Sequence, residues 1–303
     1  RPGKRAPQRA PPRRGVRCAR MSPVALRFAG VSRSFPGVRA LEDVSFEVRA
    51  GSVHALCGEN GAGKSTLGRM IAGIHPPDAG VIEVFGAEAS LRSPREALVL
   101  GIGMVHQELA FCENLTVAEN LCLAALPARR GLLDRGALES RARAMLAGID
   151  PDIDVTASLG ALSLGHRQMV QVAQAVGAGA RIIVFDEPTS SLSQREAERL
   201  YALIARLRSE GVTSIYVSHR MDEIFRLCDT VTVLRDGRHV ATRPLSEVDE
   251  AALVRMMIGR EVEDASPAAT PDPGAERLRV RELGSAGKFE GISFTLRAGE
   301  VLG

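Results

Sequence analysis

Lysine is nearly missing from this chain: Lys4, Lys64 and Lys288 are the only three, beside 36 arginines. A motif that keeps a lysine against that background needs a chemical reason for it. No stretch approaches the roughly 18 consecutive apolar residues of a bilayer-spanning helix, so none is expected. Five cysteines (Cys18, Cys57, Cys112, Cys122, Cys228) show neither Cys-x-x-Cys spacing nor dense pairing. That excludes a disulfide framework or a zinc site and fits reduced thiols in a cytosolic protein.

Positive charge is also scarcer than the net +3 suggests. Residues 1–20 hold eight basic residues and no acid; without them 31 basic residues face 36 acidic ones, a net of −5. A mildly acidic folded part argues against a nucleic-acid surface. The first stretch has no apolar segment, no serine and no helical period, and a Pro/Arg-rich run cannot bury a core. Residues 1–21 are therefore read as a disordered basic tail, upstream of a start at Met21.

What is present is ordinary globular composition, 45% hydrophobic and 25% charged over 303 residues. That is enough for one large α/β domain with additions. Short strands are expected at Val24–Phe28, Val44–Val48 and Ser52–Cys57, then a Gly-rich loop and a helix from Lys64 to about Ala72. Further strands follow at Val81–Phe85 and Ile102–Val105, around a short helix at Pro94–Leu100. From about 110 to 176 the pattern turns helical, with Thr116 and Asp134 as caps. Strand and helix then alternate: strands at Arg181–Phe185, Thr213–Val217 and Thr230–Leu234, helices at Glu196–Ser209 and Asp222–Leu227. Asp236-Gly237 signals a hairpin, and a last helix, Glu247–Ile258, ends at Gly259. Alternation of this kind implies a parallel sheet covered on both faces.

Residues 261–277 are rich in Ala, Pro and acid and read as a linker. Behind them lies a repeat. Val44–Ala55 (VSFEVRAGSVHA) aligns with Ile292–Gly303 (ISFTLRAGEVLG) at an offset of 248, with six of twelve positions identical.

Three segments carry chemistry. Gly58-Glu59-Asn60-Gly61-Ala62-Gly63-Lys64-Ser65-Thr66 matches the P-loop pattern G-x-x-x-x-G-K-[ST]. Its glycines let backbone N–H groups turn inward on phosphate oxygens, and the helix that follows adds its positive end. Lys64 would reach the β- and γ-phosphates, and the Ser65 hydroxyl would ligate Mg²⁺. Ile182–Phe185 is an apolar strand that delivers Asp186 and Glu187 at its end. Asp186 would hold the metal through water, and Glu187 would polarise an attacking water. Leu162–Gln168 (LSLGHRQ) opens a helix, with Ser163 and the Gly165 amide as a second phosphate-facing N-terminus.

Taken in order, these segments resemble the ATPases of ABC transporters, whose signature pattern L-S-G-G-Q is matched here with Leu164 and His166 in place of Gly and Gln. The resemblance implies a P-loop NTPase (RecA-like) parallel-sheet core, an N-terminal antiparallel β subdomain and an all-helical subdomain. It also implies roles for three single residues. Gln107 is a Mg²⁺ and water contact where the core joins the helical lobe, His219 contacts the γ-phosphate, and Phe35 stacks on adenine. Ser193 stands where the family often has an acid. Gly58–Thr66, Met104–Leu109, Leu115–Leu121, Asp186–Leu192 and Val217–Arg220 further resemble the ribose/galactose/xylose-type importers.

In that group two ATPase domains are fused, so residues 22–260 are expected as a first domain and 278–303 as the truncated start of a second. ATP with Mg²⁺ would be sandwiched between the P-loop of one domain and the signature helix of another, supplied in cis or in trans. The implied partners are integral-membrane permease subunits and, indirectly, an extracytoplasmic sugar-binding protein, at the cytoplasmic face of the inner membrane. No nucleic acid is expected. The rival reading is a soluble, non-transport ABC ATPase of translation or DNA repair. It would call for a basic surface or a coiled-coil insert. A GTPase is disfavoured because no Asn-Lys-x-Asp is present.

Overall fold

The computed structural model describes residues 24–106, 111–123, 125–190, 192–259, 274–285, 288–300 and 302. It divides into two units, with the boundary between Gly259 and Arg260. The basic stretch 1–21, Gln107 and residues 261–273 of the expected linker lie outside the described residues.

The first unit opens with β1 (Val24–Phe35) and β2 (Val38–Arg49), an antiparallel hairpin that pairs Phe28 with Phe46 and Phe35 with Val38. Both strands run further than the expected Val24–Phe28 and Val44–Val48. Gly30 (φ 63°) and Asp43 (φ 49°) shift the register inside the hairpin. Such bulges break the inside–outside alternation that sequence patterning relies on, while the pairing itself continues. β3 (Val53–Cys57) follows, buried at every residue, then α1 (Lys64–Ile71). β4 (Ala79–Val84) pairs with β1 and β5 (Ala87–Glu88) extends the edge, giving a four-stranded antiparallel sheet in the order β2-β1-β4-β5. α2 (Pro94–Val99), capped by Ser93, leads into β6 (Ile102–Val105).

The expected helical lobe holds α3 (Val117–Cys122), whose Thr116 and Glu119 form a capping box. It also holds a small hairpin that the sequence reading lacked, β7 (Ala128–Arg129) and β8 (Leu132–Leu133). Strands of two residues are too short to show a period of two, and their turn, Arg130-Gly131 at φ 52° and 81°, is the feature that sets them. α4 (Arg135–Leu146) is capped by Asp134 and α5 (Leu164–Gly177) by Ser163. The apolar faces of α3, α4 and α5, with Leu121, Leu138, Leu146 and Val172, share a core with Phe185 and Tyr216 of the main sheet.

The chain then alternates through β9 (Ile182–Asp186), α6 (Gln194–Ser209), β10 (Thr213–Val217), α7 (Met221–Leu227), β11 (Thr230–Arg235), β12 (Arg238–Pro244) and α8 (Glu250–Ile258). The main sheet has the order β12-β11-β3-β10-β9-β6 and is parallel except at β12. β12 turns back at Asp236-Gly237, where both residues have positive φ (51° and 75°). α8 begins later than the expected Glu247, because Leu245–Glu247 winds as a separate 3-10 turn and Asp249 caps the helix. β9 and β10, like β3, are buried at every residue, as a sheet covered on both faces requires. Because β3, β9, β10 and β6 run parallel, their C-terminal ends open on one edge, where such sheets place their ligands.

The second unit is an antiparallel hairpin of β13 (Glu276–Ser285) and β14 (Phe289–Arg297). The strand at Ile292–Leu296 has a partner, pairing Phe294 with Val280, and that partner starts inside the expected linker. Leu278 and Val280 alternate with arginines, but a register shift before Leu283 breaks that period.

Candidate functional site

The loop between β3 and α1 is shaped by glycines that no other residue can replace. Gly58 (φ 155°) passes so close to β11 that a Cβ would lie 2.3 Å from the Leu234 carbonyl oxygen. Gly63 (φ 98°) caps α1, and a Cβ there would meet the Ala40 carbonyl oxygen at 2.6 Å. With glycine as N-cap, no side chain caps α1 and no acid stands in its first turn. The first N–H groups of the helix therefore face the loop free, the arrangement that attracts an anion.

Lys64 is buried, 6% exposed, with Nζ donating to the carbonyls of Gly58 (2.8 Å) and Glu59 (2.9 Å). Burial pulls its ammonium below the usual lysine range, against the opposing pull of Glu187, Cys57 and Asp186. The loop itself is closed by an N–H of Ala62 donating to the Glu59 carbonyl at 3.1 Å, while Asn60 and Gly61 stay exposed. Ser65 Oγ donates to Asp186 Oδ1 at 3.2 Å, across 121 residues of chain. Asp186 is 3% exposed at the end of β9, and burial raises its pKa while the Ser65 hydrogen bond lowers it. Glu187, next to it, has φ 45°, a strained backbone for a non-glycine residue. Its N–H donates to the Val217 carbonyl at 3.0 Å, and its Oε1 lies 3.0 Å from His219 Nδ1.

Lys64, Ser65, Asp186, Glu187 and His219 are thus brought to one sheet edge by β3, β9 and β10. Thr66, the next residue of α1, is half-buried beside them. His106, which the sequence reading passed over, joins this edge from the end of β6. Burial lowers its pKa, and the neighbouring Asp186 raises it. Its signal was its place directly after an apolar strand, as with Asp186.

Three expected residues stand elsewhere. Phe35, at the end of β1, is half-buried; its ring meets His75 edge-on at 5.3 Å, and the Arg33 guanidinium stacks at 5.1 Å. Ser163 caps α5, its Oγ accepting from the His166 N–H at 3.3 Å and donating to Glu196 Oε1 at 3.3 Å. Gly165 lies under that same carboxylate, which would sit 2.0 Å from a Cβ. Among the described residues no hydrogen bond or ion pair links Phe35, Ser163 or Gly165 to the loop at 58–66. Bonds to the Ser193 hydroxyl and N–H hold the Glu196 carboxyl below its ordinary pKa.

Ser65 Oγ and Asp186 Oδ1 are hard oxygen donors side by side below the loop, a set that suits Mg²⁺, which takes few protein ligands and keeps waters. Among the described residues no three His, Cys, Asp or Glu side chains cluster as a preformed cage.

A family profile described as "ABC transporter" matches residues 41–190. The chain is 48% identical over 280 residues to the arabinose import ATP-binding protein AraG of Pseudomonas syringae pv. tomato, covering 92% of this chain and 55% of that one. It is 47% identical over 279 residues to the ribose import ATP-binding protein RbsA of Chromobacterium violaceum, covering 90% and 55%. The chain thus spans about half the length of the curated relatives it matches. A solved nucleotide-free ATP-binding cassette from an ABC transporter superposes with a TM-score of 0.67 at 25% identity, over 78% of this chain and all of that one.

Proposed function

The chain carries a cassette of the ABC transporter family, and from that premise we propose that it binds and hydrolyses ATP to drive import of a monosaccharide. The observation that carries the reading is the meeting of Lys64, the Ser65–Asp186 pair and the Glu187–His219 pair at one edge of the sheet, below an uncapped helix end.

In this reading the phosphates of ATP lie on the backbone N–H groups of Gly58–Thr66. Lys64 Nζ, held in place by two carbonyls, exchanges one of them for phosphate oxygens. Ser65 and Asp186, with Gln107 as a further contact, would hold Mg²⁺, whose charge would offset that of the β- and γ-phosphates. Glu187 Oε1 accepts a hydrogen from the water aimed at the γ-phosphate and so orients it. His219, starting beside Glu187, donates toward the γ-phosphate as charge develops there. Phe35 offers its ring to the adenine.

Ser163 and Gly165 serve a nucleotide bound to a second cassette, in cis within a longer chain or in trans. A phosphate reaching them has to displace the Glu196 carboxylate. The permease subunits, and through them an extracytoplasmic sugar-binding protein, are the partners. The place of work is the cytoplasmic face of the inner membrane; among the described residues no helix is long and apolar enough to cross it.

The test is Glu187→Gln. Titration should find MgATP affinity retained, while turnover falls at least about tenfold, as loss of a water-orienting group predicts. Turnover equal to the parent chain would rule the reading out.

A further inference from the structure

Glu223, on the first turn of α7, is the most deeply buried acid among the described residues of the first unit, its side chain 0% exposed. None of the roles above uses it. A carboxylate so placed survives only if its lone pairs are met, and here they are. Oε1 accepts from Thr189 Oγ1 at 2.6 Å and pairs with Arg220 Nη1 at 2.9 Å. Oε2 accepts from Tyr216 Oη at 2.7 Å and from Ser218 Oγ at 3.2 Å.

The identity of these partners matters more than their number. Thr189 stands two residues after Glu187, in the turn that leaves β9. Ser218 and Arg220 stand on either side of His219, in the turn that leaves β10. The Arg220 N–H also donates to Ser218 Oγ at 3.0 Å, which tightens that second turn. One carboxylate therefore grips both loops, and the two side chains those loops present are the pair separated by 3.0 Å at the site. Glu187 also has its backbone at φ 45°, a conformation that lasts only where the surroundings over-determine it. Its N–H bond to Val217 is one such restraint, and the anchored Thr189 is a second.

We propose that Glu223 is a positioning residue for hydrolysis: its buried carboxylate ties the turn after Glu187 to the turn carrying His219 and so keeps those two side chains in register. The inference rests on the roles given above to Glu187 and His219. It requires that a change at Glu223 act on turnover through that pair, and leave the phosphate loop and Lys64 alone.

The experiment measures saturating ATP turnover and MgATP affinity for the chain and its variants Glu187→Gln, His219→Ala, Glu223→Gln and the double variant Glu223→Gln/His219→Ala. Glu223→Gln keeps the shape but turns an acceptor into a donor that faces other donors. Expected is a turnover loss of at least fivefold, with MgATP affinity within threefold of the parent. The double variant should be no more than threefold slower than His219→Ala alone, since the tie has lost what it held. A loss below fivefold, an affinity that falls as far as turnover, or losses that multiply in the double variant would each overturn the proposal. If Glu223→Gln does not fold, Thr189→Val, which removes one donor and keeps the Arg220 pair, is read by the same criteria. The two levels of inference fail differently. Parent-like turnover in Glu187→Gln sinks the catalytic reading, whereas parent-like turnover in Glu223→Gln beside an inactive Glu187→Gln sinks only the tie.

Discussion

Phe46 in β2 and Phe294 in β14 occupy the same place in a twelve-residue pattern written twice in this chain, 248 residues apart. Phe46 is 9% exposed and stacks on Phe28 with ring centroids 4.5 Å apart. Phe294 is half-exposed, and its pattern neighbour Ile292 is 43% exposed where its counterpart Val44 is fully buried. Both segments form antiparallel hairpins with bulges, so strand and turn follow from the residues alone. Burial does not. The first hairpin pairs onward with β4 and packs over α1, while the described residues of the second unit comprise two strands and nothing to lay across them. A hairpin of two strands is marginal in water, because its ordering entropy is offset by little apolar burial. The same amphipathic pattern is thus a core in one place and, among the described residues of the second unit, a face with no layer of its own to cover it in the other.

Three measurements can break or sharpen this comparison. The largest effect is expected from Phe46→Ala, which should cost about 3–5 kcal/mol in denaturant unfolding, as for a well-packed aromatic. A cost near that of an exposed site would mean that the first hairpin is no better packed than the second. Next, hydrogen exchange should separate the two. Amides of β1 and β2 should exchange through global opening, and those of β13 and β14 at least about 100-fold faster through local opening. Equal protection would show the second hairpin covered by something. The smallest effect is expected from Ile292→Ala, within about 0.5 kcal/mol of the parent, as for most exposed substitutions. A cost of about 2 kcal/mol would place Ile292 in a core.

Much of the candidate site was legible in order along the chain. Gly58–Thr66 could be read because its requirements are local: positive φ at fixed positions, a strand before and a helix after. Asp186 and Glu187 could be read because a fully apolar strand must end at an edge. The same logic found the end of α8, where Gly259 takes φ 74°. Patterning was weaker wherever regularity was interrupted, as at Gly30 and Asp43, or where the element was very short, as at β7 and β8.

Glu223 left no trace of its kind, since an acid in the first turn of α7 reads as an ordinary complement to the helix dipole. Glu196 forms a capping box with Ser193, its Oε2 accepting from the Ser193 hydroxyl at 2.7 Å. That its other oxygen reaches Ser163, 33 residues away, could not be read from either segment. His106 reaches the site only because β6 lies beside β9.

The residues by themselves determined the phosphate loop, the strand ends, the caps and the repeated strand-and-turn segment. Each depends on backbone geometry within a few positions, where sequence neighbours are necessarily spatial neighbours. Only the tertiary structure decided which of these features meet. The order β3-β10-β9 in the sheet puts Ser65 against Asp186 and Glu187 against His219, and it closes Glu223 over the turns that carry the second pair. Strand order is set by how whole faces bury against one another. Contacts between distant segments follow from that summed burial, and no single stretch of the chain specifies it.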